Sequence, residues 1–185
     1  MTLTTTTLQT ALGPIRTVAD GDAVVALVFD DERQRTWLAR WLATWFPGRT
    51  VVPHADAAGA ASRVRRYFDG APGALEDQRV HMMGTPFQQR VWNALRDIPP
   101  GRTESYGALA ARIGRPAAVR AVGAANGRNP ISLIVPCHRV IASDGTLHGY
   151  GGGLARKAWL LGHEGAAFVQ PRSGAVEAQA RLVGI

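Results

Sequence analysis

The chain has 185 residues, of which 46% are hydrophobic, so it can bury a core as one large domain or two small ones. Its single cysteine, Cys137, excludes an internal disulfide and a cysteine-rich structural zinc site. No apolar run approaches the length of a membrane span, and the first seven residues lack the pattern of a secretory signal. We therefore expect a cytoplasmic protein that does not act at a membrane.

The positive charge lies in one half of the chain. Residues 1–83 hold nine arginines and nine acidic residues, whereas residues 84–185 hold twelve basic and five acidic residues, which accounts for the whole formal charge of +7. Lys157 is the only lysine, and arginine is the better partner for phosphates and base edges. High-GC coding also enriches arginine, so the charge alone favours a protein that binds nucleic acid and one that does not about equally.

The first half of the chain predicts strands followed by helices. Turn signals divide its beginning into three strands that fit an antiparallel meander, over 8–12, 15–19 and 23–29. Apolar residues at helical spacing predict a helix over 31–46, whose tryptophan stripe we interpret as packing on the meander. A second helix is expected over 57–68, and a loop with at most one strand over 72–83.

Cap signals define the helices of the second half. Thr85 and Gln88 form a capping-box pattern that begins a helix over 86–97, and Ser105 is expected to cap a helix over 106–113. A tight turn with a glycine then leads to a helix over 116–127. Two short helices joined in this way are typical of a helix-turn-helix motif. The later segments are a strand over 131–135, a turn at Asp144-Gly145 that leads to a glycine-rich loop over 149–153, a helix over 154–163 and a tail of little periodicity.

The helix predicted over 116–127 is unusual in composition. It consists mostly of alanine and glycine, and Arg120 is the one long side chain in its middle. Small residues let a backbone approach another surface closely, which can be a helix in a tight core or the minor groove of DNA. Both interpretations remain open from the residues alone.

The chemistry must involve Cys137, which is either a small buried hydrophobe or a reactive thiol. A cysteine nucleophile needs a base, and His138 follows it directly, with Glu164 as the best candidate to orient the imidazole. In an extended chain adjacent side chains point to opposite faces, so contact requires a bend at Pro136 or a bridging water. These residues favour a cysteine hydrolase and a DNA-binding protein about equally.

Several separated motifs resemble the O6-alkylguanine-DNA alkyltransferase family and occur in the family's order. They span roughly residues 84–165 and comprise Ser-Tyr-Gly at 105–107, Arg-Ala-Val-Gly at 120–123, Asn-Pro at 129–130, Pro-Cys-His-Arg-Val at 136–140, Tyr-Gly-Gly-Gly at 150–153 and Trp-Leu-Leu-Gly-His-Glu at 159–164. The first half resembles the family only in length and pattern.

The resemblance implies an α+β fold in two domains and a flexible tail. Residues 1–83 would form an antiparallel sheet with helices of the ribonuclease-H-like type, residues 84–170 a mainly helical winged helix-turn-helix domain, and residues 171–185 the tail.

The implied function is DNA repair by direct damage reversal. An alkyl group would pass irreversibly and stoichiometrically from O6-alkylguanine, and from O4-methylthymine, in double-stranded DNA to Cys137, with the base flipped through the minor groove. We expect a monomer without cofactors in the cytoplasm, associated with the nucleoid when bound to DNA.

The resemblance also implies roles for individual residues. Cys137 would accept the alkyl group, His138 would deprotonate it through a water, Glu164 would orient His138, and Tyr106 would donate a proton to N3 of the departing guanine. Arg120 would fill the space that the flipped base leaves, and further DNA contacts are expected from Ala118, Ala121, Gly123, Arg115 and Ser143. The base pocket would be lined by Val140, Tyr150 and Gly151, and Asn129 would tie the DNA-binding helix to the active-site turn.

Departures from the family pattern limit these expectations. Zinc-binding members use cysteines and histidines in the first domain, where this chain has no cysteine, so we predict no metal. Some members also regulate transcription and carry a further cysteine-rich domain, which this sequence does not contain. Other members only flag damage and lack the acceptor cysteine, which is present here as Cys137. His148 falls at the pocket margin, and we hypothesise that it limits bulky alkyl groups. A non-catalytic lesion binder and a cysteine hydrolase remain the alternatives.

Overall fold

The computed structural model describes residues 2–169, and the tail predicted over 171–185 lies outside them. The chain divides into two compact units. One consists of the chain up to Met83 together with Pro130–Ile134, and the other consists of Gly84–Asn129 and the chain from Val135 onward. The segment Pro130–Ile134 therefore belongs to the first unit, whereas the sequence placed it with the second.

The first unit contains a four-stranded sheet. Its strands are β1 (Leu3–Thr10), β2 (Gly13–Asp20), β3 (Ala23–Phe29) and β4 (Val51–Pro53), in the order β3-β2-β1-β4. The first three are antiparallel, as the meander prediction requires, and β4 adds a parallel edge strand that the sequence did not predict. The prediction that the first strand begins at residue 8 was wrong, because the β-branched threonines at its start suit a strand and pair with β2.

Helices α1 (Glu32–Trp45) and α2 (Ala60–Phe68) accompany this sheet. Asp31 caps α1 by accepting a hydrogen bond from the backbone N–H of Gln34, at 3.0 Å. The tryptophan stripe of α1 packs, partly buried, against a core that joins sheet residues to Leu38 and Phe46, which confirms its interpretation as a packing face. That core comprises Leu3, Val18, Val25, Ala26, Val28, Leu38 and Phe46.

The second unit contains the helices α3 (Pro86–Arg96), α4 (Tyr106–Arg112), α5 (Val119–Gly127) and α6 (Leu154–His163). Two short strands, β5 (Glu104–Ser105) and β6 (Val140–Ile141), pair in parallel. The capping box of Thr85 and Gln88 and the cap at Ser105 are both confirmed. The buried indole of Trp92 on α3 donates to the carbonyl of Ala125 at 2.9 Å, which fixes the end of α5 against α3.

Two predicted segments differ from the structure. The helix expected over 116–127 begins as a 3-10 turn, Pro116–Ala118, before α5. The strand expected over 131–135 is absent, and only one bridge joins Ile131 to Leu27 in the first unit. The chain then turns at Leu133, which is buried and has a φ of +68°. Periodicity cannot distinguish a short buried apolar run that turns from one that extends.

No helix within residues 2–169 is long and apolar enough to cross a membrane.

Candidate active site

The only thiol lies in a tight turn of the second unit. The backbone of Cys137–Arg139 forms a 3-10 turn between Pro136 and β6, so the chain is bent at this point. Cys137 is 4% exposed. Its carbonyl accepts a hydrogen bond from the amide of Asn126 at 3.3 Å, and the amide of Asn129 donates to the carbonyl of Val135 at 2.7 Å. Both amides come from α5 or the residues after it, so they tie the end of this helix to the thiol turn.

His138 and Glu164 lie together in the interior of the second unit. His138 Nε2 is 2.9 Å from Glu164 Oε1, and both side chains are completely buried. Arg139 also donates to the same carboxylate, through Nε at 2.8 Å and through Nη2 at 2.9 Å, and donates from Nη1 to the carbonyl of Ile98 at 2.5 Å. The other ring nitrogen, His138 Nδ1, is buried and has no hydrogen-bond partner among the described residues.

Burial and hydrogen bonding set the protonation of this group. Burial opposes ionisation of Glu164, but hydrogen bonds from His138 and Arg139 outweigh it and hold its pKa well below the usual range. Burial lowers the pKa of His138 against the opposing bond to Glu164, so the imidazole is neutral at pH 7 and can accept a proton. Burial raises the pKa of the Cys137 thiol, which Asn129 and Lys157 oppose. The thiol is therefore protonated at rest and needs a base.

Tyr106, at the start of α4, reaches the loop before α6. Its hydroxyl lies 3.2 Å from the carbonyl oxygen of His148 and 3.4 Å from that of Gly149, and can donate to either. Burial, reinforced by the charge of Cys137, raises the pKa of Tyr106 to about 12. The phenol is thus a weak acid that holds its proton until a strong base appears beside it.

The predicted pocket residues lie directly after the thiol turn and in the loop before α6. Val140 is buried directly after it, and Tyr150 and Gly151 are half-buried in the loop before α6. The rings of His138 and Tyr150 meet edge to face with their centroids 6.4 Å apart. The His148 side chain is exposed, and its Nε2 lies 3.1 Å from the Thr146 hydroxyl. Of the predicted pocket residues, Tyr150 is therefore the one whose side chain meets His138.

The helix α5 presents a bare, exposed face. Arg120 and Ala121 are exposed on it, Gly123 is half-buried, and a side chain at Gly123 would come within 3.9 Å of the Tyr106 ring. The other predicted DNA contacts also lie at or near the surface: Arg115 and Ser143 are exposed and Ala118 is half-buried. Among the described residues, no hydrogen bond or ion pair joins Arg120 to a catalytic candidate. The exposed small-residue face removes the tight-core interpretation, because a core helix would bury it.

Comparison with known proteins then assigns the family. Residues 86–166 match the model of the DNA-binding domain of 6-O-methylguanine DNA methyltransferase. The methylated-DNA--protein-cysteine methyltransferase of Salmonella typhimurium is 45% identical over 159 residues, which cover 85% of this chain and 93% of that protein. The chain belongs to the methylated-DNA--protein-cysteine methyltransferase family. The predicted enzyme class is confirmed, since a Mycobacterium tuberculosis protein of the same name is 43% identical over 157 residues, or 84% of this chain and 88% of that protein.

Solved structures of the family have the same fold. The O6-methylguanine methyltransferase of Mycobacterium tuberculosis aligns with a TM-score of 0.71 and 40% identity, covering 88% of this chain and 93% of its own. The crystal structure of Mycobacterium tuberculosis OGT in complex with DNA aligns with a TM-score of 0.73 and 41% identity, covering 88% and 92%. The α+β class predicted for the chain is therefore confirmed.

Three residues of the site were not predicted from the sequence. Arg139 shares Glu164 with His138, Asn126 holds the Cys137 carbonyl, and Lys157 is completely buried near Tyr106. The available signals were weak: Arg139 lies inside the Pro-Cys-His-Arg motif, and Lys157 is the only lysine in an arginine-rich chain. Nothing in the sequence marks the side chain of Asn126.

Within residues 2–169, no three histidine, cysteine, aspartate or glutamate side chains cluster as a metal site would require. The absence of a metal stays a prediction.

Proposed function

We propose that this protein repairs DNA by transferring an alkyl group from O6-alkylguanine to Cys137, once per molecule. The observation that carries the proposal is the buried imidazole of His138. Glu164 fixes its Nε2, while its Nδ1 has no hydrogen-bond partner within residues 2–169 and the only cysteine is the preceding residue. This arrangement suits a neutral base that removes the thiol proton through one water. The family relation supplies the substrate class.

The transfer balances without any cofactor. The thiol proton passes through a water to His138, and the imidazolium that forms lies against the Glu164 carboxylate. The sulfur then forms a bond to the alkyl carbon as the bond from that carbon to O6 breaks. Guanine leaves with the electron pair and takes one proton, and solvent later restores the protonation of the protein groups. The thioether product has no acyl carbon for water to attack, so Cys137 is not regenerated.

Tyr106 is the proposed donor to the departing guanine. A hydroxyl now directed at the carbonyls of His148 and Gly149 would turn to N3 of the base. Because burial raises the pKa of Tyr106 to about 12, it would hydrogen-bond to the intact substrate and transfer its proton only as the leaving guanine becomes anionic. That timing favours the transition state over the ground state.

The DNA-binding surface is proposed to be α4 and α5, arranged as a helix-turn-helix in a winged domain. The exposed alanine and glycine face of α5 would enter the minor groove, and Arg120 would take the place of the flipped nucleotide. Phosphate contacts would come from Arg115 and Ser143, while Ala118, Ala121 and Gly123 allow close approach. The amides of Asn126 and Asn129 would transmit the position of this helix to the thiol turn.

The expected partner is double-stranded DNA that contains O6-alkylguanine or O4-methylthymine, bound by a monomer in the cytoplasm. Val140, Tyr150 and Gly151 would line the base pocket, and His148 at its margin would disfavour bulky alkyl groups. A ribonuclease-H-like arrangement remains our expectation for the first unit, whose sheet begins with three antiparallel strands.

Stoichiometry tests the proposal. Excess duplex carrying one O6-methylguanine should be converted to guanine until one equivalent per protein has reacted, and the reaction should then stop. Continued turnover would instead indicate a hydrolase, and binding without any guanine formed would indicate a lesion binder. As a control, Cys137→Ser should bind the duplex normally and convert none, because no DNA contact is assigned to the sulfur.

A further inference from the structure

Lys157 is a buried cation without a matching anion. It lies on α6 with no exposed surface, and it forms no ion pair with a carboxylate among the described residues. Its Nζ donates to the carbonyl of Val140 at 2.6 Å and to that of His148 at 2.7 Å. An ammonium group has three donors, so these two bonds leave one N–H for another acceptor.

A buried ammonium is a costly way to hold two carbonyls. Removing an unpaired charge from water costs several kcal/mol, and a neutral donor would satisfy the same oxygens without that penalty. The cost is visible here, because burial lowers the pKa of Lys157 to about 8. Most of the ammonium is nevertheless still protonated at pH 7. A charge kept at such cost beside a reactive group is more often functional than structural.

The ionisable groups around Lys157 identify its electrostatic partner. Its Nζ lies 5.9 Å from the centre of the Tyr106 ring, whose face attracts a cation. Its charge also acts on His138, where it disfavours the imidazolium, and on Cys137, where it favours the thiolate. Of these groups, Cys137 becomes negative before the transfer, whereas Tyr106 becomes negative only once its proton has passed to the departing guanine. Lys157 is therefore placed to lower the free energy of the thiolate and not to remove its proton.

We propose that Lys157 is the cation that stabilises the thiolate of Cys137 while it holds the carbonyls of Val140 and His148 around the base pocket. Lys157 is a positioning residue in this role, since it acts through the thiol and the pocket wall. The inference rests on the proposed transfer to Cys137 and extends it. It assigns the charge balance that a buried thiolate needs, since the imidazolium that forms on His138 is already paired with the Glu164 carboxylate.

The position of Lys157 also affects Tyr106. The carbonyl of His148 receives both the Lys157 ammonium, at 2.7 Å, and the Tyr106 hydroxyl, at 3.2 Å. When Tyr106 turns to N3 of the guanine, the ammonium keeps this carbonyl hydrogen-bonded. The rotation of the hydroxyl then does not leave the His148 carbonyl without a donor, a loss whose cost would otherwise slow the step.

Titration of the thiol tests the proposal without DNA. Because Cys137 is the only cysteine, the rate of its alkylation by iodoacetamide at each pH reports the thiolate of this residue alone. Lys157→Gln keeps a donor and removes the charge, whereas Lys157→Arg keeps the charge. We expect the Gln variant to shift the titration midpoint upward by about one pH unit, and the Arg variant to stay within a few tenths of the wild type. Arg66→Met, which removes one exposed charge from the first unit, is the matched control.

Single-turnover repair supplies the second measurement. The Gln variant should transfer the methyl group about tenfold more slowly at saturating duplex, with its DNA affinity unchanged. An unchanged thiol titration in a folded Gln variant would overturn the proposal and leave Lys157 a structural brace. If circular dichroism shows the Gln variant unfolded, Lys157→Met must give the same upward shift. A wild type that transfers nothing to Cys137 would instead defeat the proposed function, while the DNA-free titration would still decide the role of Lys157.

Discussion

Substitution of Glu164 by glutamine should destabilise the second unit strongly. The carboxylate accepts bonds from His138 and Arg139, all between 2.8 and 2.9 Å, and is shielded from solvent. Glu164→Gln leaves the buried guanidinium without a counter-ion and points an amide N–H at other donors. Removing one partner of a buried ion pair costs about 3–5 kcal/mol, a large share of the roughly 5–15 kcal/mol that stabilise a typical domain.

The measurement is unfolding in urea, in which pulsed hydrogen exchange at each urea concentration reports the folded fraction on peptides of the second unit. With a slope of about 2 kcal/mol per molar urea, the midpoint should fall by about 1.5–2.5 M. Adding Arg139→Met should recover part of the loss, because the unpaired charge is then removed. Asp22→Asn, which breaks an exposed ion pair with Arg79, is the control and should leave the midpoint in place. A midpoint shift below about 0.5 M in Glu164→Gln would refute the reasoning.

The same group predicts a pH dependence. Because the folded state holds the pKa of Glu164 below its unfolded value, the stabilisation is fully present above about pH 5 and is lost as the pH falls towards the folded pKa. The wild type should lose more stability than Glu164→Gln when the pH is lowered from 5 to 3. Equal losses in the two proteins would contradict the assignment.

Three further predictions concern the reaction. Tyr106→Phe should slow transfer from a methylated duplex by about a hundredfold with little change in DNA affinity, because only the proton donor is lost; an unchanged single-turnover rate would remove that role. Arg120→Ala should slow repair of duplex more than reaction with free O6-methylguanine base, and an equal loss on both would argue against insertion into the DNA stack. His148→Gly should raise the rate with O6-benzylguanine relative to O6-methylguanine, whereas equal wild-type rates for the two would show that His148 sets no size limit.

Local sequence rules predicted the parts of the fold that depend on neighbouring residues. The capping box at Thr85, the cap at Ser105 and the three antiparallel strands all follow from side chains close in sequence. The edge strand β4 was not predictable in this way, since its three residues pair with β1, about fifty positions earlier in the chain. The turn at Leu133 was missed because a buried apolar run carries no local mark of its direction.

The residues of the candidate site also divide into those that the sequence predicted and those that only the tertiary structure shows. Cys137, His138 and Glu164 could be proposed from residue types and motif order, and the structure places the imidazole on the carboxylate. The sequence did not show that Arg139 shares this carboxylate, nor that Lys157 points inward from α6 to the carbonyls of Val140 and His148. Such contacts depend on the side-chain directions of elements far apart in the chain, which only the tertiary structure fixes.

The mass of the peptide that contains Cys137 tests the central claim most directly. After incubation with a duplex carrying one O6-methylguanine, this peptide should gain a single methyl group as a thioether on Cys137. The gain should match the guanine formed, one for one, and should be absent from Cys137→Ser. Formation of guanine with the Cys137 peptide unmodified, or with the methyl group on another residue, would contradict the account.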